Sequence, residues 1–250
     1  MIDISYSGRT GTQEGIALVR DIRRDILPSV RHRTMSLGGH GVHYFGRWYN
    51  ERTIEVEVVL VGDTPAALRE SVRRVAAWLN SEIPRRLIFT DEPDKYYMAI
   101  VTEQTMLEQT ITDGNVTLQF LCPDPFAYAV TPDIVTLTAS PLSHSQRGTA
   151  PADPLLRLQG TCTTAQQISI AIEAQVVTYR GVLAANDWLE IDCTEKTITR
   201  VEGAVRTNAL ASISKPIFPQ LAGGDNVISV AVADGATWSR LEIHCRNRWL

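Results

Sequence analysis

The chain has 250 residues, a length that accommodates one large domain or two domains of ordinary size. Hydrophobic residues make up 44% and charged residues 21%, which is typical of a globular protein and excludes a disordered chain. The formal net charge of −4 excludes a protein that binds nucleic acid through an overall basic charge.

No apolar run approaches the roughly 18 residues that span a bilayer, so the sequence predicts no membrane insertion. The first eleven residues are polar and lack the apolar centre of a signal peptide, which predicts synthesis and folding in a cytoplasm. The cysteines are widely spaced and form no CxxC pair, so they are predicted to be buried thiols rather than a disulfide or a metal site. They are Cys122, Cys162, Cys193 and Cys245.

One amphipathic helix is predicted over about residues 64–81. Thr64 can cap its first turn, and Pro65 suits the first helical position. Apolar residues then recur at i, i+4, i+7 and i+11 and form one stripe. These residues are Leu68, Val72, Val75 and Leu79. Pro84 ends the pattern.

Most other segments of the first half read as strands. Residues 53–61 alternate apolar and acidic side chains and then become continuously apolar, which predicts a strand with one buried face. Further strands are predicted at 86–89, 97–102 and 115–122. Asp113-Gly114 precedes the last of these and is typical of a hairpin turn.

The stretch from Cys122 to Pro154 contains half of the twelve prolines, which favours a domain boundary near 129–132. The sequence thus predicts two domains, at 1–130 and 131–250. Short strand patterns with turn signals between them recur after Pro154, and no helical stripe is found there. This spacing predicts a second, all-β sandwich domain.

Motifs of nucleotide binding, of the hydrolase nucleophile elbow and of zinc proteases are absent from the sequence. We therefore predict no enzyme activity, no catalytic residues, no cofactor and no metal site. A hydrolase that uses Glu190, Asp192 or Glu195 remains an alternative, because sequence cannot show whether two carboxyl groups face each other.

Two further groups of polar residues have a simple structural interpretation. His32, His40 and His43 surround a glycine-rich stretch, 38–41, which is typical of a turn or hairpin tip. The acidic residues at 91, 92 and 94 are interrupted by Pro93, which favours a solvated turn over a cation site.

Arginines and tryptophans offer candidate contact residues. The arginines of the N-terminal stretch are predicted to contact neighbouring subunits, with phosphate binding as the alternative. They are Arg20, Arg23, Arg24, Arg31 and Arg33. Trp188 and Trp238 are candidate carbohydrate contacts because aromatic rings stack on sugars, and packing in a core is the alternative.

Several sequence segments in the first half resemble segments of the distal tail (Dit) proteins of siphoviruses, the long-tailed bacteriophages. They are residues 52–56 before the predicted helix, 89–93 before two tyrosines, and 120–127 at the end of the predicted domain. The second half adds residues 148–154, 186–193 and 218–228 in the same order as in that family.

The resemblance implies a structural virion protein. In such proteins an N-terminal β-sandwich with one helix and a protruding hairpin forms a ring of six subunits, and a galectin-like sandwich projects outward. The ring connects the tail tube protein to the tail-tip hub protein at the distal tail or baseplate. DNA passes through its lumen without specific binding, and in some phages the ring carries receptor-binding proteins.

Two alternative functions remain open at this stage. One is a carbohydrate-binding module of a phage tail tip or adsorption apparatus. The other is a different tail tube or adaptor ring protein of a phage-derived particle, although the long second half favours the distal position.

Overall fold

The computed structural model describes residues 2–102, 107–109, 112–213 and 215–250. The chain divides into two units, one that runs to Val130 and includes Leu250, and one from Thr131 to Trp249. Strands dominate both units, and one long helix lies in the first, so the predicted mainly-β fold class is confirmed. The ring-forming and galectin-like roles of the two halves stay predictions.

The first unit contains two helices and the strands that precede and follow them. In chain order its elements are β1 (Ile4–Tyr6), β2 (Arg9–Thr10), α1 (Gly11–Glu14), β3 (Ile16–Arg24), β4 (Val30–Ser36), β5 (Val42–Tyr49), β6 (Arg52–Val61), α2 (Pro65–Leu79), β7 (Arg85–Phe89), β8 (Glu92–Val101), β9 (Leu107–Gln109), β10 (Asp113–Cys122) and β11 (Ala127–Ala129).

The strands of the first unit form an antiparallel array in the order β2-β1-β7-β8-β10-β6-β3, and β4 and β5 form a separate pair. Alternation along β6 decides which face is buried. Ile54, Val56 and Val58 are fully buried, whereas Glu55 and Glu57 point to the opposite face. Helix α2 packs against the buried face and leaves the other face open to solvent.

Helix α2 confirms the predicted amphipathic helix, with bounds one residue later at the start and two earlier at the end. The Thr64 hydroxyl accepts a hydrogen bond from the Ala67 amide at 3.2 Å, as expected for an N-cap. Trp78 anchors the last turn: its indole Nε1 donates to the Tyr6 carbonyl at 2.9 Å, and its ring meets the Tyr6 ring edge-on at 6.1 Å. The helix is thereby fixed to strand β1.

The Asp-Gly signal at 113–114 does not form the predicted turn. Asp113 and Gly114 are the first residues of β10 and pair with Val61 and Leu60 of β6. Gly114 also pairs with β9 on the other side. Pairing on both sides outweighs a local turn preference, because strand propensity depends on the neighbouring strands.

The second unit consists of short strands and one 3₁₀ turn (Leu210–Ser212). In chain order the strands are β12 (Asp133–Leu137), β13 (Leu142–Gln146), β14 (Leu155–Thr161), β15 (Gln167–Ile172), β16 (Gln175–Tyr179), β17 (Trp188–Asp192), β18 (Thr197–Glu202), β19 (Val205–Asn208), β20 (Gly224–Ala233), β21 (Thr237–Cys245) and β22 (Arg248–Trp249).

Two sheets of the second unit enclose one hydrophobic core. Their orders are β12-β21-β14-β17-β18-β19 and β13-β20-β15-β16. Leu156 and Leu158 from the first sheet meet Ile168 and Ile170 from the second within this core. The unit is therefore a β-sandwich, as the sequence predicts. Within the described ranges, no helix is long and apolar enough to cross a membrane.

The Trp78 anchor gives a first testable prediction. Trp78→Phe removes the indole hydrogen bond to the Tyr6 carbonyl and shrinks a buried ring, which we expect to destabilise the first unit by about 1–3 kcal/mol. The matched control Trp48→Phe changes an exposed ring and should stay within about 0.5 kcal/mol. Hydrogen exchange of first-unit peptides in increasing urea measures both values, because the two units need not unfold together. Equal values for the two variants would refute the anchoring role.

Candidate functional site: an exposed aromatic and cationic hairpin

Strands β4 and β5 form a two-stranded ribbon, which we name the hairpin (residues 30–49). Among the described residues, neither strand pairs with any other. Its turn holds the glycine-rich stretch 38–41, so the predicted hairpin tip is confirmed. A two-stranded hairpin is marginally stable in water by itself. This ribbon is therefore expected to need a further contact for its stability.

One face of the hairpin combines arginines with aromatic rings. The Arg31 guanidinium lies 5.8 Å from the Trp48 ring centroid, and Arg33 lies 5.8 Å from that of Phe45. The register shifts between Arg33 and Thr34, so Phe45 is an extra residue on its strand. Gly46 follows it with φ = 138°, a conformation that favours glycine and permits this bulge.

The opposite face repeats the same chemistry. The His32 ring lies 5.9 Å from the Tyr44 ring, and the Arg47 guanidinium lies 5.5 Å from the Tyr49 ring. Aromatic side chains next to arginines are enriched at the energetic centres of protein interfaces. Both faces of the hairpin therefore have the composition of a binding surface.

The hairpin leaves an unusual amount of apolar surface exposed to solvent. Trp48 is 46% exposed, Phe45 52%, Tyr44 53% and Leu37 66%. Ile26, in the segment that leads into the hairpin, is 93% exposed. Single exposed apolar residues are common, but a contiguous group of them marks an interaction site.

The charge of the hairpin has the opposite sign to that of the rest of the chain. Residues 30–49 contain three arginines, three histidines and no carboxylate. Since the whole chain has a formal charge of −4 and the hairpin contributes +3, the remainder carries −7. The hairpin is therefore a basic element on an acidic chain and is suited to an acidic partner surface.

The structure does not bring the five predicted arginines together. Arg31 and Arg33 lie on the hairpin, whereas the other three lie on β3. Arg24 binds Asp91 at 2.7 Å and Glu92 at 3.2 Å and stacks on Phe89 at 4.1 Å. Arg24 thus has partners within its own chain, and its predicted contact with a neighbouring subunit stays untested.

Arg20 and Arg23 lie on the open face of the sheet that contains β3, β6 and β10. Arg20 pairs with Glu57 at 3.4 Å, and Arg23 pairs with Asp21 at 3.1 Å and Glu55 at 3.5 Å. Thr117 and Gln119 of β10 stand opposite the two glutamates and continue the polar surface. We name this surface the polar face; its three carboxylates and two arginines give it a net charge of −1.

The acidic residues at 91, 92 and 94 lie at the turn between β7 and β8. Arg24 binds the first two, and Lys95 lies 3.2 Å from Glu92 and 3.6 Å from Asp94. These two cations balance much of the acidic charge. Over the described ranges, no group of three or more histidine, cysteine, aspartate or glutamate side chains is arranged to hold a metal ion.

Comparison with known proteins shows what the chain is similar to. Residues 9–122 match the model of the phage tail protein RIFT-related domain. The "Distal tail protein" of Bacillus phage SPP1 is 28% identical over 155 residues, which cover 59% of this chain and 60% of that protein. These matches make the chain similar to the distal tail (Dit) proteins of siphoviruses. The aligned segment spans less than two thirds of the SPP1 protein.

A solved structure of a distal tail protein has the same fold as this chain. The crystal structure of SPP1 Dit, described as a paradigm of the hub adsorption apparatus in phages that infect Gram-positive bacteria, superposes with a TM-score of 0.83. The superposition covers 100% of both chains at 16% identity, which shows a shared fold. A chain of the phage P2 baseplate in its activated conformation with Ca gives 0.46, at 7% identity and 98% and 97% coverage. That score is too low to support a conclusion.

The two tryptophans predicted to contact carbohydrate lie on different faces of the six-stranded sheet in the second unit. Trp188 lies on the outer face of the six-stranded sheet, where Arg157 stacks on its ring at 4.4 Å. Trp238 instead packs against the hydrophobic core. A register shift between Gln159 and Gly160 separates them. The two rings therefore form no common platform, and carbohydrate binding stays a prediction.

The carboxylates that the hydrolase alternative would use differ in their bonding partners. Glu190 is held by Arg157 at 2.9 Å and by Arg206, whereas the carboxyl of Asp192 accepts hydrogen bonds from the amides of Thr194 and Glu195 at 2.9 Å. Both carboxylates have structural partners. The absence of enzyme activity nevertheless stays a prediction.

All four cysteines are buried free thiols, which confirms the interpretation from the sequence. Burial raises the pKa of Cys122, Cys193 and Cys245 to about 12 and also raises that of Cys162. Because the thiolate is the reactive form, these cysteines are poor nucleophiles in the folded protein.

The Arg24–Asp91 pair can be tested by titration. Hydrogen bonds from Arg24 hold the pKa of Asp91 below its ordinary value of 3.8. A lowered pKa means that this pair stabilises the folded state above pH 3.8, and the contribution is lost as pH falls through the lower folded value. Arg24→Gln should raise the pKa of Asp91, as measured by NMR of the carboxyl carbon, and Arg23→Gln should not. An unchanged Asp91 pKa in Arg24→Gln would contradict the pairing.

Proposed function

We propose that this chain is a distal tail (Dit) protein, a structural protein of a phage tail, and that six copies form a ring at the distal end of the tail. In this proposal the first unit builds the ring, and the ring connects the tail tube protein to the tail-tip hub protein. DNA passes through the lumen, and the second unit projects outward, where receptor-binding proteins attach in some phages. The protein is then located in the virion after synthesis in the host cytoplasm.

The exposed hairpin is the observation that most strongly supports this proposal. Its aromatic and aliphatic side chains are about half exposed, and within the described chain its strands pair only with each other. A structural role explains such a surface, because neighbouring subunits cover it on assembly. The match to the phage tail protein RIFT-related domain, the similarity to the SPP1 distal tail protein and the fold shared with SPP1 Dit support the same proposal.

Strand β3 offers a second surface for assembly. It is nine residues long, ends the order of the main sheet array, and pairs only with β6 among the described strands. A long free edge can pair with a strand of another chain. Contacts at such an edge and at the hairpin involve different parts of one chain, which is the arrangement that closed rings require.

The polar face suits the wall of a channel for DNA. It has no covering layer among the described residues, and its side chains prefer water to a protein interface. Each of its arginines is paired with a carboxylate, so neither is free to bind phosphate strongly. We infer that this face lines the lumen and lets DNA slide past without specific binding.

The alternatives make different predictions. A carbohydrate-binding module would act through the second unit alone and would not depend on the hairpin. A tail tube or adaptor ring protein would share the hairpin and the polar face. The similarity to SPP1 Dit over the full length of the chain favours the distal tail position over that second alternative.

Ring formation is tested by mass. Light scattering of the purified protein should give roughly six times the chain mass of 27.7 kDa. Replacing residues 30–49 with a short Gly-Ser linker should give a monomer, because the main interface is removed. The control Val205→Ser changes an exposed residue of the second unit and should leave the ring intact. A ring of normal mass without the hairpin would refute the assembly role.

The lumen assignment is tested by DNA binding. The wild-type ring should bind double-stranded DNA weakly at physiological salt. Asp21→Asn combined with Glu55→Gln and Glu57→Gln frees Arg20 and Arg23, so affinity should rise and the salt dependence should steepen by about 0.9 per new phosphate contact. Fluorescence anisotropy at several salt concentrations measures both quantities. Glu70→Gln on α2 is the matched control. Tight binding by the wild type would contradict the proposed lining.

A further inference from the structure

The end of the hairpin is an apolar turn that projects into open space. Leu37 is 66% exposed, and Met35 and Val42 on the strands beside it are 51% and 64% exposed. A methyl group built on any of the three glycines of the turn, at 38, 39 and 41, would meet no described atom within 4 Å beyond its immediate neighbours. No lysine, arginine, aspartate or glutamate occurs between positions 34 and 43. The end is therefore exposed, apolar and free of permanent charge.

Aromatic rings and a cation follow this end in a fixed order along the hairpin. Tyr44 belongs to the strand pair directly behind that of Met35, and the bulged Phe45 comes next. Arg33 lies beside Phe45, with its guanidinium 5.8 Å from the ring centroid. The hairpin contains no carboxylate that could neutralise Arg33. The order from the end towards the base is therefore apolar, aromatic and cationic.

A lipid bilayer presents the same order of environments. Its hydrocarbon interior is followed by an interfacial layer in which aromatic side chains concentrate, and then by head groups that attract cations when they are anionic. The step of three residues from Arg33 to Ser36 places the turn about 10 Å beyond the cation, at about 3.3 Å per residue. Elements that lie in the membrane interface enter it by about 5–10 Å. The length of the apolar end therefore matches shallow insertion.

We propose that the end of the hairpin inserts shallowly into a lipid surface that carries anionic head groups. A groove on a protein would accept the apolar end, but it would not require rings and a cation behind that end in this order. The contact differs from membrane spanning, for which the sequence lacks an apolar run. It goes beyond the proposed ring, because subunit contacts near the base, at Arg31, Arg47 and Trp48, leave the end free. In a tail protein, such a contact would bring the distal end of the tail to a cell membrane.

A fluorescent probe at the end of the hairpin tests this contact directly. Leu37→Cys is labelled with an environment-sensitive dye, and the native thiols should stay unlabelled because all four are buried. Vesicles of phosphatidylglycerol and phosphatidylcholine in equal parts should shift the emission to the blue and raise its intensity, because the dye leaves water. The same dye attached through Val205→Cys, at an exposed position of the second unit, is the control and should not respond.

Substitutions in the unlabelled chain separate the apolar and the electrostatic contributions. Leu37→Ser with Val42→Ser should weaken vesicle binding by about tenfold or more, since burial of apolar surface drives insertion. Arg33→Gln should weaken binding to the anionic vesicles by about fivefold and leave binding to pure phosphatidylcholine unchanged. Val205→Ser and Arg180→Gln, at exposed positions of the second unit, are the matched controls. Flotation of the full chain with vesicles measures binding, and circular dichroism confirms that each variant folds.

The outcomes separate this inference from the proposed ring. Absence of vesicle binding, or binding without a response of the dye at Leu37→Cys, would overturn the lipid contact and leave the ring proposal standing. A ring that becomes monomeric with Leu37→Ser and Val42→Ser would show that another copy covers the end, which would also overturn the lipid contact. A monomeric wild type that binds vesicles through the end would support this inference and contradict the ring. A dye response, together with weakened binding of both hairpin variants and not of the controls, would establish the contact.

Discussion

The hairpin cannot bury its apolar side chains within its own chain. Two strands have only two faces and two edges, and a third layer is needed before aromatic side chains such as Phe45 and Trp48 leave water. Everything proposed for this protein follows from that constraint. A single subunit carries exposed apolar surface on the hairpin, and the proposed association would remove that surface from water.

The rest of the first unit positions this surface rigidly. Helix α2 closes one face of the sheet, and the Trp78 indole ties it to β1 through the Tyr6 carbonyl. The other face stays polar, with carboxylates and arginines in register across β3 and β6. One face of the sheet is thus covered by α2, and the opposite face is exposed to solvent.

The sequence predicts the parts of this architecture that depend on local periodicity. The stripe from Leu68 to Leu79 repeats with the helical period, and strand β6 alternates strictly, so both elements are recognisable without the structure. The exposure of the hairpin is harder to predict from the sequence. Its arginines and aromatic residues are visible in the sequence, but whether a third layer covers them depends on contacts far along the chain.

Register is the property that sequence patterns miss. The sequence does not distinguish Trp188 from Trp238. The register shift between Gln159 and Gly160, however, places the Trp238 ring on the core side of the sheet. One extra residue in a strand moves every following side chain to the other face. Asp113-Gly114 fails for a related reason, since pairing with β6 and β9 outweighs its preference for a turn. The resemblance to Dit proteins predicts the fold well, because several sequence segments in a fixed order reflect the long-range contacts of the whole fold.

The buried thiols have a consequence for the lifetime of the proposed particle. A tail protein made in a reducing cytoplasm later spends its functional life in oxygenated surroundings, where exposed cysteines form adventitious disulfides. With Cys122, Cys193 and Cys245 protonated up to about pH 12 and shielded from oxidants, neighbouring copies have no reactive sulfur with which to become linked. The proposed assembly can therefore persist outside the cell without disulfide bonds forming between its copies.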